Sequence, residues 1–410
     1  VSGAWNAHEE KFFSNLTSVL SHFTLKASYS LTADRGPADV TNSQAIITSY
    51  SPYRPFTSIQ ESGLYIKELE NSELTYEKKH ELNIGADMGF LNNRINLAVD
   101  WYKRNNYDLI GIVNTQGAGG QILKYANIAS MKSHGIEFTL STKNIKTKDF
   151  NWNTDFIFSN AKNEVTDLKQ NANVMELISG NGFAKQGYPV RGLFSIPFVG
   201  LDKDGIPVII NEKGEATSTD INFQERQNTG FLKYEGPTDP TITGSLGNMF
   251  SYKGFRLNLF ITYSFGNVIR LNPVFKAYYS DLTAMTREFK NRWTLPGDEA
   301  KTNVPAILGK RMYDSNEDLK YAYNAYNYST ERIAKGDFIR LKEISLAYDF
   351  PKAWINPLKL TDLSLKVQAT NLFLIYADDK LNGQDPEFFN AGGVASPVPR
   401  QFTITLRLGL

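Results

Sequence analysis

The sequence predicts an all-β fold, an antiparallel transmembrane β-barrel. Three observations predict it. Stretches of alternating apolar and polar residues recur along the chain, and alternating side chains point to opposite faces of a strand. The links between these stretches are short and long in turn, the pattern of tight periplasmic turns and long extracellular loops. Charge within the stretches keeps to one face, which leaves the other fit for lipid.

The elements follow in order. Val1–Trp5 is a stub of strand. Phe23, Leu25, Ala27, Tyr29 and Leu31 alternate with Thr24, Lys26, Ser28, Ser30 and Thr32. Leu82, Ile84, Ala86, Met88 and Phe90 enclose Asn83, Gly85, Asp87 and Gly89. Ile95, Leu97, Val99 and Trp101 enclose Asn96, Ala98 and Asp100, and Ile136, Phe138 and Leu140 enclose Glu137 and Thr139. Trp152, Phe156 and Phe158 oppose Asn153, Asp155 and Ser159. Ile242–Tyr252 is a weaker pattern, followed by the clear one of Phe255–Phe265. Phe338–Phe350 changes phase: Ile339 and Leu341 are apolar at odd positions, Ile344, Leu346 and Tyr348 at even ones. One extra residue near Lys342–Glu343 does that, so a β-bulge is expected there. Leu363–Thr370 and Phe402–Leu410 complete a set of about eleven strands. Helical periodicity is scarce, with a short helix allowed around Met285–Trp293.

The short links are Leu91–Asn93, Lys253–Gly254, Ile145–Phe150 and Pro351–Leu360. The long ones are Ala33–Leu74, Asn106–Leu123, Ala161–Thr238, Gly266–Lys335 and Phe373–Pro399. Trp5, Trp152 and Trp354 fall near short links, where an interfacial aromatic girdle belongs. Lys26, Asp87, Asp100, Asp155, Arg256, Asn258, Lys366 and Arg407 are expected to face a wet lumen. Phe255, Leu257, Leu259 and Ile261 are expected to face lipid.

Composition excludes several classes. The 410 residues carry a net charge of +1, which gives a nucleic acid no electrostatic hold. There is no Cys, hence no disulfide framework and no thiolate chemistry. No run of about 18 apolar residues exists to form a membrane helix. The chain opens at Val1 without an initiator Met and is expected to be a mature piece or a fragment. Eleven strands is an odd number, whereas single-chain bacterial barrels close with an even one. The stub at Val1–Trp5 and the last strand, Arg400–Leu410, are therefore expected to pair with strands outside residues 1–410.

Chemical motifs are few. Gly117–Gly120 lacks the helix and the Lys-Ser/Thr pair of a phosphate loop and reads as a loop tip. Asp202–Gly205 lacks the later ligands of a calcium loop and reads, with Ile206–Glu215, as a small hairpin with two turns. His8, His22, His80 and His134 show no metal-binding spacing. No nucleophile elbow appears, so no catalytic residue, metal or cofactor is expected, and the protein is not expected to be an enzyme. Tyr321, Tyr323, Tyr326 and Tyr328 form an aromatic run in an external link that also carries Tyr278, Tyr279 and Trp293. These rings are candidates to stack on a sugar. The plainer reading is that they pack the loop onto itself or onto a protein lid.

Six phrases occur in order: Thr75–Ile110, "ANIASMKSHGIEFTLSTKNI" with "FNWNTDFIFSNAKNEV", "NRWTLPGDEAKTNVPAI", "GDFIRLKEISLAYDFP", "VQATNLFLI" and "PVPRQFTITLRL". Together they resemble the C-terminal half of a SusC/RagA-type TonB-dependent transporter of the Bacteroidota. The resemblance implies a barrel of about 22 strands in the outer membrane, enclosing a plug. It implies a SusD-like lipoprotein as lid, a TonB–ExbB–ExbD complex acting on the plug, and a glycan or peptide as cargo. Residues 1–410 would then be the C-terminal barrel portion, with the plug and the N-terminal half of the barrel elsewhere. Leu410 departs from the aromatic end usual in such barrels. A secreted soluble glycan-binding adhesin and a passive porin are the alternatives.

Overall fold

The computed structural model describes residues 1–37, 44–52, 62–115, 117, 123–219, 221–275, 285–316, 318–389 and 399–410. Its principal feature is one antiparallel sheet of eleven strands. In chain order these are β1 (Ser2–Asn6), β2 (Leu20–Asp34), β3 (Glu77–Phe90), β4 (Ile95–Asn114), β5 (Leu123–Lys146), β6 (Phe150–Leu168), β7 (Ile242–Tyr252), β8 (Phe255–Phe265), β9 (Phe338–Asp349), β10 (Asp362–Ala377) and β11 (Gln401–Gly409). Each strand pairs with its neighbour in that order, and β1 and β11 are the two edges of the sheet.

The register separates two faces across the whole sheet. One rung reads Phe23, Met88, Leu97, Leu140, Phe156, Leu246, Ile261, Leu341 and Phe373, apolar through nine strands. The opposite face reads Lys26, Gly85, Asp100, Glu137, Ser159, Thr243 and Ser264. Along β3 the apolar face runs from Phe90 to Leu82, about 26 Å of strand at about 3.3 Å per residue. Beyond that band the same face turns charged: Lys78 on β3, Lys103 on β4, Lys132 on β5 and Glu164 on β6.

The short links turn tightly. Lys253 and Gly254 both have positive φ, 44° and 92°, as a two-residue hairpin matched to strand twist demands. Leu91, Asn92 and Asn93 are all left-handed. Aromatic pairs line this end: Trp152 with Phe250, ring centroids 5.5 Å apart, Phe255 with Tyr348 at 4.4 Å, and Trp5 with Phe12 at 6.3 Å. The β1–β2 link lies at the same end but is longer than a tight turn. It coils through Ala7–Glu9 and Lys11–Asn15, and Phe13 is buried against Phe23.

The expected bulge is present. Glu343 pairs with Phe260 and Leu341 with Ile261, which leaves Lys342 as the extra residue. Ile339, Leu341, Ile344 and Leu346 thereby share the apolar face.

Two expectations need correction. The strands β4, β5 and β6 reach 20, 24 and 19 residues, well beyond the roughly 9–11 that cross a bilayer. The Asn106–Leu123 link is correspondingly reduced to residues 115–122. In water a strand needs partners but no apolar period, so Lys78–Asp108 and Lys132–Glu164 ion pairs carry the ladder upward where the alternation has stopped. Gly117 is described, whereas the rest of the Gly117–Gly120 run lies outside the described residues.

Candidate functional site

All eight residues expected in a lumen lie on the polar face, and their spacing is set by strand register. Lys26, Gly85 and Asp100 are cross-strand neighbours. A Cβ on Gly85 would stand 2.1 Å from Asp100 Oδ1, so glycine is what lets Lys26 and Asp100 meet across it, 3.9 Å apart. Lys26 also pairs with Asp87 at 2.9 Å. Asp155 accepts a 2.6 Å hydrogen bond from Ser141. Arg256 pairs with Asp349 at 3.0 Å, and Asn258 donates to Glu343. Lys366 Nζ is 3.9 Å from Glu343. Arg407 stands opposite Ser364 on the last strand pair. These charges are half-exposed, and each ion pair stabilises the fold by no more than about 1 kcal/mol. The arrangement is a half-exposed, mixed-charge surface.

Sequence reasoning passed over the partners Glu343 and Asp349, and over Glu137, which stood between Ile136 and Phe138 and accepts from Ser159. It also missed Glu81, buried between Lys79 and Arg104 on the same face.

Above the polar face sits a second structure, built from the long links. Its core is Val174, Leu177, Ile178, Phe194, Ile196, Ile209 and Leu232 from one link and Ala325 from the next. The short helix Val174–Ile178 is started by a capping box: Asn173 accepts from Glu176 N–H while Glu176 accepts from Asn173 N–H. Asp202–Gly205 and Asn211–Gly214 are turns. Asp202 Oδ1 accepts from Asp204 and Ile206, and Asn211 Oδ1 from Lys213 and Glu215. They join three short strands, Phe198–Leu201, Pro207–Ile210 and Ala216–Thr217, as the hairpin reading expects.

The tyrosine run forms a helix, Leu319–Asn327. Leu319, Ala322, Tyr323 and Tyr326 recur at the spacing of one helical face, a signal present in the sequence. That face is buried. Tyr326 packs on Phe198 and Tyr323 on Phe275, so neither ring is presented to a ligand. Tyr328 lies half-buried beside Arg270, whereas Tyr321 is exposed. Trp293 covers Gly205 and donates from Nε1 to Glu299 at 3.0 Å. Tyr278 and Tyr279 lie outside the described residues. Burial pushes the Tyr326 hydroxyl pKa upward and the Arg270 guanidinium down to about 9, which leaves both in their ordinary states at neutral pH. Among the described residues no cluster of three or more His, Asp and Glu is placed to hold a metal, and no helix is long and apolar enough to cross a membrane.

The comparisons with known proteins agree with this geometry. A TonB-dependent receptor of Formosa agariphila is 25% identical over 404 residues, covering 94% of this chain and 37% of its own length. The TonB-dependent receptor SusC of Bacteroides thetaiotaomicron is 27% identical over 429 residues, covering 99% of this chain and 39% of its own. The chain is similar throughout to SusC-type TonB-dependent transporters. It spans about two fifths of the length of the curated relatives it matches. No family model matches. A solved structure of the RagAB peptide transporter superposes with a TM-score of 0.76 at 24% identity, over 99% of this chain and 43% of that one. The RagAB peptide importer in its open-open state gives the same score over 100% and 42%. The eleven-stranded sheet is thus the barrel wall of the SusC and RagA fold.

Proposed function

We propose that residues 1–410 form the C-terminal barrel portion of an outer-membrane importer driven through TonB. The observation that carries this reading is the two-faced register, apolar through nine strands on one side and mixed-charge on the other. The apolar face meets lipid and the polar face lines the lumen. Burial supports the second assignment. Val165, Ser264, Phe338 and Arg340 belong to the polar face at the long-link end and are buried, with Val165 bonded through its backbone to Gly187 and Tyr188 of one long link and Arg340 paired with Asp385 of another. The likeness to SusC-type receptors supports the rest: a plug and the remaining strands outside residues 1–410, a TonB–ExbB–ExbD complex acting on that plug, and a SusD-like lipoprotein over the loops.

The cargo is a nutrient too large to diffuse, a glycan or oligosaccharide, with a peptide as second reading. Exposed Tyr321 and half-buried Trp293 and Tyr328 remain its loop contacts, together with Tyr278 and Tyr279. A strain lacking the gene, grown on purified glycans and peptides, should lose growth on one class and recover it on complementation. Undiminished growth on every substrate contradicts the proposal. An adhesin would purify without detergent, and a porin would need no plug.

A lid on the loops should bury well over about 1,000 Å² in total. Val199 and Leu295 are exposed on the two longest links. Changing both to Asp should release the lipoprotein during gentle purification, and unchanged co-purification counts against the interface.

A further inference from the structure

The long links at 169–241 and 266–337 meet through their backbones, and the link at 378–389 joins them through side chains. Ile196 forms a bridge with Ser329, and Thr330 N–H donates to Ile196 O at 3.0 Å. Ala306 N–H donates to Gly205 O at 3.0 Å. The third link enters through Leu381, buried against Ile269, Leu271 and Ala334.

Three buried arginines hold these meetings. Arg270, only 6% exposed, leaves its own link to donate to Phe194 O at 2.6 Å, and it also donates to Ser329 O at 2.9 Å. Arg332, only 1% exposed, donates to Asn272 O and pairs with Glu288, whose other oxygen accepts from Asn382 at 3.0 Å. Arg340, on β9, pairs with Asp385 and lies 3.1 Å from Glu387. The chain of contacts runs without a break from the first link through the second to the third, and from there to the barrel wall. A guanidinium held out of water this way makes its contacts interdependent, because losing one strands a buried charge or a buried carbonyl.

We propose that these three links are one cooperative folding unit, pinned by Arg270, Arg332 and Arg340, and stand as a fixed wall over the polar face. They open together or not at all. The unit would exist whatever the protein carries, so its test is separate from that of import.

Hydrogen exchange on the protein in outer-membrane vesicles reads this directly. Arg270→Met takes the guanidinium donor from Phe194 O and leaves Ser329 O with only the N–H of Arg332. Exchange should rise about tenfold or more in all three links together, with Ile242–Tyr252 and Phe255–Phe265 unchanged. A rise confined to the 266–337 link overturns the proposal. Residues 1–410 contain no Cys, so the double variant Ile196→Cys/Ser329→Cys adds a single pair to them at bridged positions. Its disulfide should slow exchange in the 378–389 link, which it does not touch. Slowing limited to the two bridged links, or failure of the pair to cross-link, overturns the proposal even if Arg270→Met does not fold.

Discussion

At the scale of single residues, alternation within β8 makes the sharpest demands. Leu259 lies on the apolar face and Asn258 on the polar one, next to each other in the chain. An arginine in the bilayer midplane costs about 2–4 kcal/mol. Leu259→Arg should therefore destabilise the protein by that amount in phospholipid bilayers, while Asn258→Arg stays within about 0.5 kcal/mol. Equilibrium unfolding of the two variants checks the difference. A second prediction concerns the Thr294–Lys301 turn. Asp298 accepts from the backbone N–H of Leu295 and from the N–H and hydroxyl of Thr294, and these bonds hold its pKa below the ordinary 3.8. A depressed carboxylate contributes stability that is present above its unfolded value and lost as pH falls through its folded one. The turn should hold above the ordinary carboxylate range and loosen as pH falls below it. Asp298→Asn, which cannot ionise, should remove that pH dependence. Trp293 fluorescence, read against Trp293→Phe, reports it. Residue identity was legible where period two ruled, as at Lys26 or Arg256. It was not legible for Arg270, because a link has no period from which to read burial.

At the scale of elements, the phase slip at Lys342 was readable because two apolar runs of opposite parity meet there. Removing Lys342 should restore simple alternation, at the cost of turning Arg340 towards lipid and away from Asp385. The deletion should destabilise by about 3–5 kcal/mol, the cost of breaking the buried Arg340–Asp385 pair. Thermal unfolding in bilayers measures it, and a neutral deletion would show that the bulge sets no facing. The upper halves of β4, β5 and β6 were not readable. Lys103, Lys132, Glu164 and their neighbours pair as strands in water without an apolar signature. The helix Leu319–Asn327 had a readable period, but its three tyrosines and Tyr328 drew attention to ligand stacking when two of them fill a core.

At the scale of the whole molecule, the eleven strands and their order were legible, since lipid imposes one rule on every crossing. The packing of separate long links into one body was not, because it rests on contacts between segments far apart in sequence. Both β1 and β11 are edges, and an unpaired backbone group in lipid costs several kcal/mol. In the membrane each edge should be covered by strands outside residues 1–410. A cysteine at Ala4 and another at Thr403 should then fail to cross-link in vesicles, whereas efficient cross-linking would mean that the two edges seal against each other. Beneath all of this lies the assignment of the apolar face to lipid. Single cysteines placed in turn from Phe255 to Phe265 and spin-labelled in bilayers test it most directly. Odd positions should be open to dissolved oxygen and closed to a water-soluble nickel chelate, with even positions the reverse. Accessibility that does not alternate, or alternates with Arg256 and Asn258 on the lipid side, would contradict it.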